Sequence, residues 1–203
     1  DERSIDYASD GRADFDFGWF QPYALASFLD TRERLNAELD VRAPRTQTTF
    51  AAGAKALLSS KTGLVFDVRT AGLDFAEGTT FEGVSLSQSL NSTTRTIEGG
   101  MEFYLTPLTT FAVIASHQTD RFDQSPERDA DTFRILPSIR MESPAIIQGS
   151  LAVGYRRFSA LQPETPDYSG LIVQGSLTHT FGERTKVDLQ LSRDVQYSFE
   201  ETE

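Results

Sequence analysis

The chain has 203 residues, with 30 Asp and Glu against 19 Lys and Arg, a formal charge of −11 and no cysteine. So acidic a chain is not a general binder of nucleic-acid phosphates, and without thiols it makes no disulfides, no thiol chemistry and no cysteine-based metal site. Mean hydropathy is negative and no run approaches the roughly 18 apolar residues of a spanning helix, which excludes a helical membrane protein but not a β-barrel, whose strands are half polar.

The opening residues carry no apolar signal segment, so any signal peptide is expected outside this sequence. The next stretch allows two readings. "FDFGWF" alternates Phe15, Phe17 and Trp19 with Asp14, Asp16 and Gly18, as an entering strand would, while "YALASFLDTRERL" holds the chain's one piece of helical periodicity.

Beyond it, apolar and polar residues alternate almost everywhere, which puts them on opposite faces of β-strands. "LNAELDVR" sets Leu35, Ala37, Leu39 and Val41 against Asn36, Glu38, Asp40 and Arg42. "TFAAGAKALL" sets Phe50, Ala52, Ala54, Ala56 and Leu58 against Gly53 and Lys55, and "GLVFDVR" sets Leu64, Phe66 and Val68 against Asp67 and Arg69. In "TIEGGMEFYL", Ile97, Gly99, Met101, Phe103 and Leu105 oppose Thr96, Glu98, Glu102 and Tyr104. "TFAVIASHQ" is mixed, with Phe111, Val113 and Ala115 on one face but Ile114 on the other. "TFRILPSIRME" is the plainest case: Phe133, Ile135, Pro137, Ile139 and Met141 against Thr132, Arg134, Leu136, Ser138, Arg140 and Glu142. "IQGSLAVGYR", "LIVQGSLTHTF" and "KVDLQLSRD" continue the pattern, giving an all-β chain of about ten strands.

Four connections are tight: "SSKT" at 59–62, "TPLT" at 106–109, "ESPA" at 142–145 and "GERT" at 182–185. Between them lie longer polar ones, from about Ala76 to Ser92, "DQSPERDAD" and "SALQPETPDYS". Their alternation gathers the tight turns at one end of the sheet and the long loops at the other. Hairpins ending at Phe75, Phe122, Phe158 and Phe199 repeat along the chain, as in an up-and-down antiparallel meander. Its strands run about 12 to 16 residues, against about 5 or 6 in globular sheets and about 9 to 11 for a strand crossing a bilayer. With no helix to cover so wide an apolar face, the expected fold is a transmembrane β-barrel with lipid outside.

"GSLAVGYRRF", a Pro-containing loop and "YSGLIVQGSLTHTFGERTKVDLQLSRD" together resemble the β-barrel porins found beside exopolysaccharide gene clusters, over roughly residues 33 to 200. The resemblance implies a single barrel domain in the outer membrane of a Gram-negative bacterium, in contact with its lipid and lipopolysaccharide. It implies passive passage of small polar solutes or a polysaccharide, with no cofactor and no catalysis. Such barrels are larger and finish on a strand with a terminal aromatic, whereas this sequence stops at "SFEETE". The expectation is therefore a piece of a longer barrel, lacking strands at its C-terminal end and some at its N-terminal one.

In a porin-like lumen the inward set would be Lys55, Asp67, Arg69, Glu98, Glu102, Arg134, Arg140, Glu142, Gln148, Arg156 and Asp188. Rings of such charges set ion preference in a pore. The alternative is an interior in which Arg and Glu satisfy one another and nothing passes, leaving the loops as a docking or adhesion surface. Strand-end aromatics, including Trp19, Phe75, Tyr104, Phe122, Tyr155, Phe158, Tyr168, Phe181, Tyr197 and Phe199, are expected to form interfacial girdles. The acidic loops lack the ligand spacing of a calcium site and read as solvated. His117 and His179 keep an outer-membrane lipid hydrolase in view, but no G-x-S-x-G elbow and no H-E-x-x-H supports one. A soluble β-sandwich is the remaining alternative. Pro137 is expected at a bulge or a seam, because proline removes a ladder donor.

Overall fold

Alternating sequence becomes continuous sheet. The computed structural model describes residues 6–33, 41–142, 147–162, 167–181 and 185–194. In chain order the strands are β1 (Tyr7–Asp14), β2 (Phe20–Thr31), β3 (Arg45–Ser59) and β4 (Thr62–Phe75). A small insert follows, made of β5 (Thr80–Phe81), β6 (Val84–Ser85) and the short helix α1 (Leu86–Leu90). The long strands then resume with β7 (Ser92–Thr106), β8 (Thr109–Phe122), β9 (Ala130–Glu142), β10 (Ile147–Ala160), β11 (Tyr168–Phe181) and β12 (Thr185–Arg193).

The ten long strands pair only with their chain neighbours, all antiparallel, in the order β1-β2-β3-β4-β7-β8-β9-β10-β11-β12. β1 and β12 are not bonded to each other, so the sheet is open. The fold is an all-β meander. Two of its tight turns are built alike, with a register shift just before the turn and a hydroxyl accepting from the backbone two residues on: Lys61 N–H to Ser59 and Leu108 N–H to Thr106.

The two faces have opposite chemistry. Every buried residue of the long strands, from Ala51 and Glu102 to Ala112, Ser116, Thr132, Ala152, Arg156 and Ile172, lies on the face that carries Lys55, Asp67 and Glu98. Phe66, Ile97, Met101, Ile135, Ile139, Leu151, Val153 and Leu171 stand exposed on the other. That apolar face ends on a common row. It runs for nine residues on β7, Ile97 to Leu105, and for nine on β9, Phe133 to Met141; the next outward residues, Arg95 and Asp131, share that row, while on β10 Arg157 stands opposite Phe133 and closes the band one outward position earlier. Nine residues match the length of a tilted strand that crosses a bilayer. The strands continue past this row towards the long connections.

Several expectations change. "FDFGWF" is mostly a connection: residues 15–19 join β1 to β2, with Gly18 at φ 79° and its N–H bonded to Asp16. Of the two readings open for "YALASFLDTRERL", the strand one holds as far as Thr31, and the short helix lies at Leu86–Leu90. β1, in "YASDGRAD", has no apolar stripe to announce it. "LNAELDVR" lies largely outside the described residues, and its Val41 is not in a strand. Of the expected girdle, Phe75 is buried in the inner core, Tyr104, Phe122, Phe158 and Tyr168 share the polar face, and Trp19 sits exposed in the β1–β2 connection. The side chain of Phe181, together with Tyr197 and Phe199, falls outside the described residues.

Pro137 needs neither bulge nor seam. β9 lies inside the sheet and keeps its register with β10 on either side of the proline, but the pairs at 136–154 and 137–153 are missing from the ladder. Gly154 stands there because a Cβ would lie 2.2 Å from the Ile135 carbonyl oxygen. Gly154→Leu is therefore expected to abolish the compact, faster-migrating band of the unboiled protein on a gel. Gly11→Leu, where nothing lies within 4 Å, should keep it.

Candidate functional site

The strand registers, more than the alternation, decide which polar side chains meet. All eleven expected inward residues, Lys55, Asp67, Arg69, Glu98, Glu102, Arg134, Arg140, Glu142, Gln148, Arg156 and Asp188, fall on the polar face. They do not form one ring.

Near the tight turns, Glu102 of β7 is the centre of a cluster. It accepts from Lys55 Nζ at 2.9 Å, Arg140 Nη2 at 3.3 Å and the Tyr104 hydroxyl at 2.7 Å, and its side chain is only 12% exposed. Lys55 also lies over the Tyr104 ring, and Arg140 reaches Glu142 at 3.7 Å. Gly63 makes room for this arrangement, since a Cβ there would sit 2.8 Å from the Tyr104 hydroxyl. A carboxylate so withdrawn from water is tolerable because three donors surround it.

Midway along the strands one register row crosses the face: Gly53, Asp67, Glu98, Ser116, Arg134 and Arg156. Acids occupy the β4–β7 side and bases the β9–β10 side. Asp67 accepts from the Tyr23 hydroxyl, with Arg69 at 3.9 Å, and Arg156 bridges to Asp194 at 2.9 Å. Between this row and the Glu102 cluster runs an apolar one, Val65, Ile114, Leu136 and Ile172, with Gly100 and Gly154 beneath the larger side chains. Gln148 and Asp188 flank β11 from opposite sides at the tight-turn end, where Asp188 accepts from Thr178 at 2.6 Å and pairs with Lys186 at 3.2 Å.

At the long-loop end the connection 76–91 is a folded insert. Its hairpin turns through Glu82 (φ 51°) and Gly83 (φ 85°), the two positive φ angles a tight two-residue hairpin requires. Leu86 and Leu90 pack with Phe75 and Ala43, flanked by Leu73, Val41 and Phe81. Leu73 and Phe75 belong to the polar face by register, so the insert folds over that side of the sheet. The neighbouring connection holds it: Ser125 donates to the Gln88 carbonyl and Asp123 N–H to that of Asn91.

Sequence reasoning missed Tyr23, Ser116 and Asp194, and placed Tyr104 in a girdle. The parity of Tyr104 and Ser116 was readable; the pairing of Tyr23 with Asp67 and of Arg156 with Asp194 needs the register. The histidines make no dyad. His117 and His179 share the apolar face, on β8 and β11, about ten residues apart along the strand direction, or roughly 33 Å. No group of three or more metal-ligating side chains occurs among the described residues. On the apolar face, the shallow groove over Gly149 and Gly175 is walled by Ile139, Leu151, Leu177 and Leu191, so it suits hydrocarbon.

A meander with long strands, an apolar band of membrane height on one face and ion pairs on the other is a wall of the outer-membrane barrel type. The chain belongs to the family described as putative beta-barrel porin 2, whose profile matches residues 27–202. No curated protein and no solved structure matches it.

Glu102→Gln is expected to cost about 2 kcal/mol, the size of hydrogen bonds to a charged group, because Lys55 and Arg140 then lose their shared partner. Tyr104→Phe removes one of the three donors and should cost about 1 kcal/mol. Urea unfolding of the protein in vesicles measures both.

Proposed function

We propose that this chain walls a water-filled passage through the bacterial outer membrane, by which small polar solutes diffuse passively. The observation that carries the reading is the split between faces: a nine-residue apolar band on β7 and β9 ending at the row of Arg95 and Asp131, backed by charged residues on the other side. The apolar face would meet lipid and lipopolysaccharide acyl chains; the polar face that carries the eleven residues would border water. Their charges would bias which ions enter, and the insert at 76–91 would narrow the mouth on the long-loop side. No enzymatic step, metal or cofactor belongs to this reading. The resemblance to porins beside exopolysaccharide gene clusters extends the proposal to export of a polysaccharide chain.

One observation favours a second reading. Glu102, Asp67 and Arg156 are already matched by partners of their own. Were the rest of the interior equally matched, the barrel would be plugged and its loops would serve for docking.

Planar-bilayer recordings with the full-length protein separate the two. Stepwise conductance is expected, and Leu86→Asp, which puts a charge into the fully buried heart of the insert, should enlarge the steps. A well-folded barrel that stays silent would overturn the passage and favour docking.

A further inference from the structure

Polar-face charges are mostly spoken for. Glu102 is held by Lys55, Arg140 and Tyr104, Asp67 by Tyr23, Arg156 by Asp194, Asp188 by Lys186 and Thr178, and Asp120 by Thr94 and Gln118. Two members of the midway row stand apart. Among the described residues no side chain hydrogen-bonds to Glu98, and no carboxylate lies within salt-bridge distance of Arg134. Arg134 spends only its Nε–H, on Ser116 Oγ at 3.3 Å, which leaves the outer donors of its guanidinium open. Both residues are half-buried, hence reachable from water.

Their placement is specific. Glu98 pairs with Ser116 across β7–β8, and Ser116 with Arg134 across β8–β9. The carboxylate and the guanidinium therefore rise from strands two apart, about 9 to 10 Å at the backbone, with the serine hydroxyl between them. The two side chains are not paired with each other, although a pair can form across two strands, as Arg140 and Glu102 do, and their backbones lie within one screening length at physiological salt, about 8 to 10 Å. A simple anion drawn to Arg134 is repelled by Glu98, and a simple cation at Glu98 is repelled by Arg134. A solute carrying both charges a few atoms apart is attracted at each end. Such attractions are weak where water is present, which suits a site that must release what it binds.

We infer that Glu98, Ser116 and Arg134 form a weak midway subsite for small zwitterionic solutes, with the anionic group on Arg134 and the cationic group on Glu98. The inference rests on the passage reading above and names the class of solute it favours.

The test uses full-length protein in liposomes and three radiolabelled probes of similar size: taurine, a zwitterion; isethionate, its anionic hydroxyl analogue; and choline, a cation. Taurine is expected to enter about threefold faster than either, the scale of a solvated ion pair. Glu98→Gln should erase the preference over isethionate and Arg134→Gln the preference over choline. The exchange Glu98→Arg with Arg134→Glu should restore both, which a purely structural role would not do. If all three probes enter at ratios that none of these changes moves, the subsite is overturned and the passage stands. If no probe enters vesicles that hold folded wild-type protein, the passage reading fails and the subsite with it.

Discussion

Backbone hydrogen bonding within the sheet is the constraint on which this structure depends. A peptide group facing lipid has no water to bond, so each must find a partner within the sheet. The antiparallel ladder from β1 to β12 supplies it everywhere but beside Pro137, and the two-fold periodicity of a strand then fixes everything on either side. On the proposed reading one face is apolar because it would meet lipid; the other is released to carry charge. The outer edges of β1 and β12 fall under the same demand and need partners wherever they meet hydrocarbon.

The ladder also explains where exceptions are tolerated. Pro137 removes a donor inside the sheet, and the local opening that results is taken up by close approach at Gly154, without a shift of register. The bulges lie beside the tight turns, where the chain reverses, outside the long regular stretches. Apolar residues on the polar face, Ile114 and Leu136, lie flat over Gly100 and Gly154. The face is therefore layered, with the Glu102 cluster near the tight turns, an apolar row above it and the Asp67-to-Arg156 row beyond. The folded insert crowns the long-loop end.

Much of this was legible in the sequence because alternation specifies a face. Phe133, Ile135, Ile139 and Met141 could be set against Arg134, Arg140 and Glu142 with no structure at hand, and tight and long connections could be sorted to opposite ends. Alternation does not specify a partner across the ladder. The meeting of Tyr23 with Asp67, or of Glu98 with Ser116 and Arg134, depends on register, which turns and bulges set. β1 escaped notice because an edge strand of small and polar residues has no stripe, and α1 because five residues are too few for a helical period. Phe75 misled for a related reason: an aromatic at a strand end looks like an interfacial anchor, yet its parity turns it inward to meet Leu86 and Leu90.

The most direct test of the account asks which solvent each face touches. The chain has no cysteine, so single cysteines can be placed at Ile135, Leu151 and Val173 and at their neighbours Arg134, Ser150 and Gln174, labelled with a fluorophore and reconstituted in vesicles. Quenching by brominated acyl chains at 135, 151 and 173, with quenching by a water-soluble agent at 134, 150 and 174, is the predicted result. Probes at 135, 151 and 173 that neither lipid nor water can reach, because protein packs over them, would contradict it.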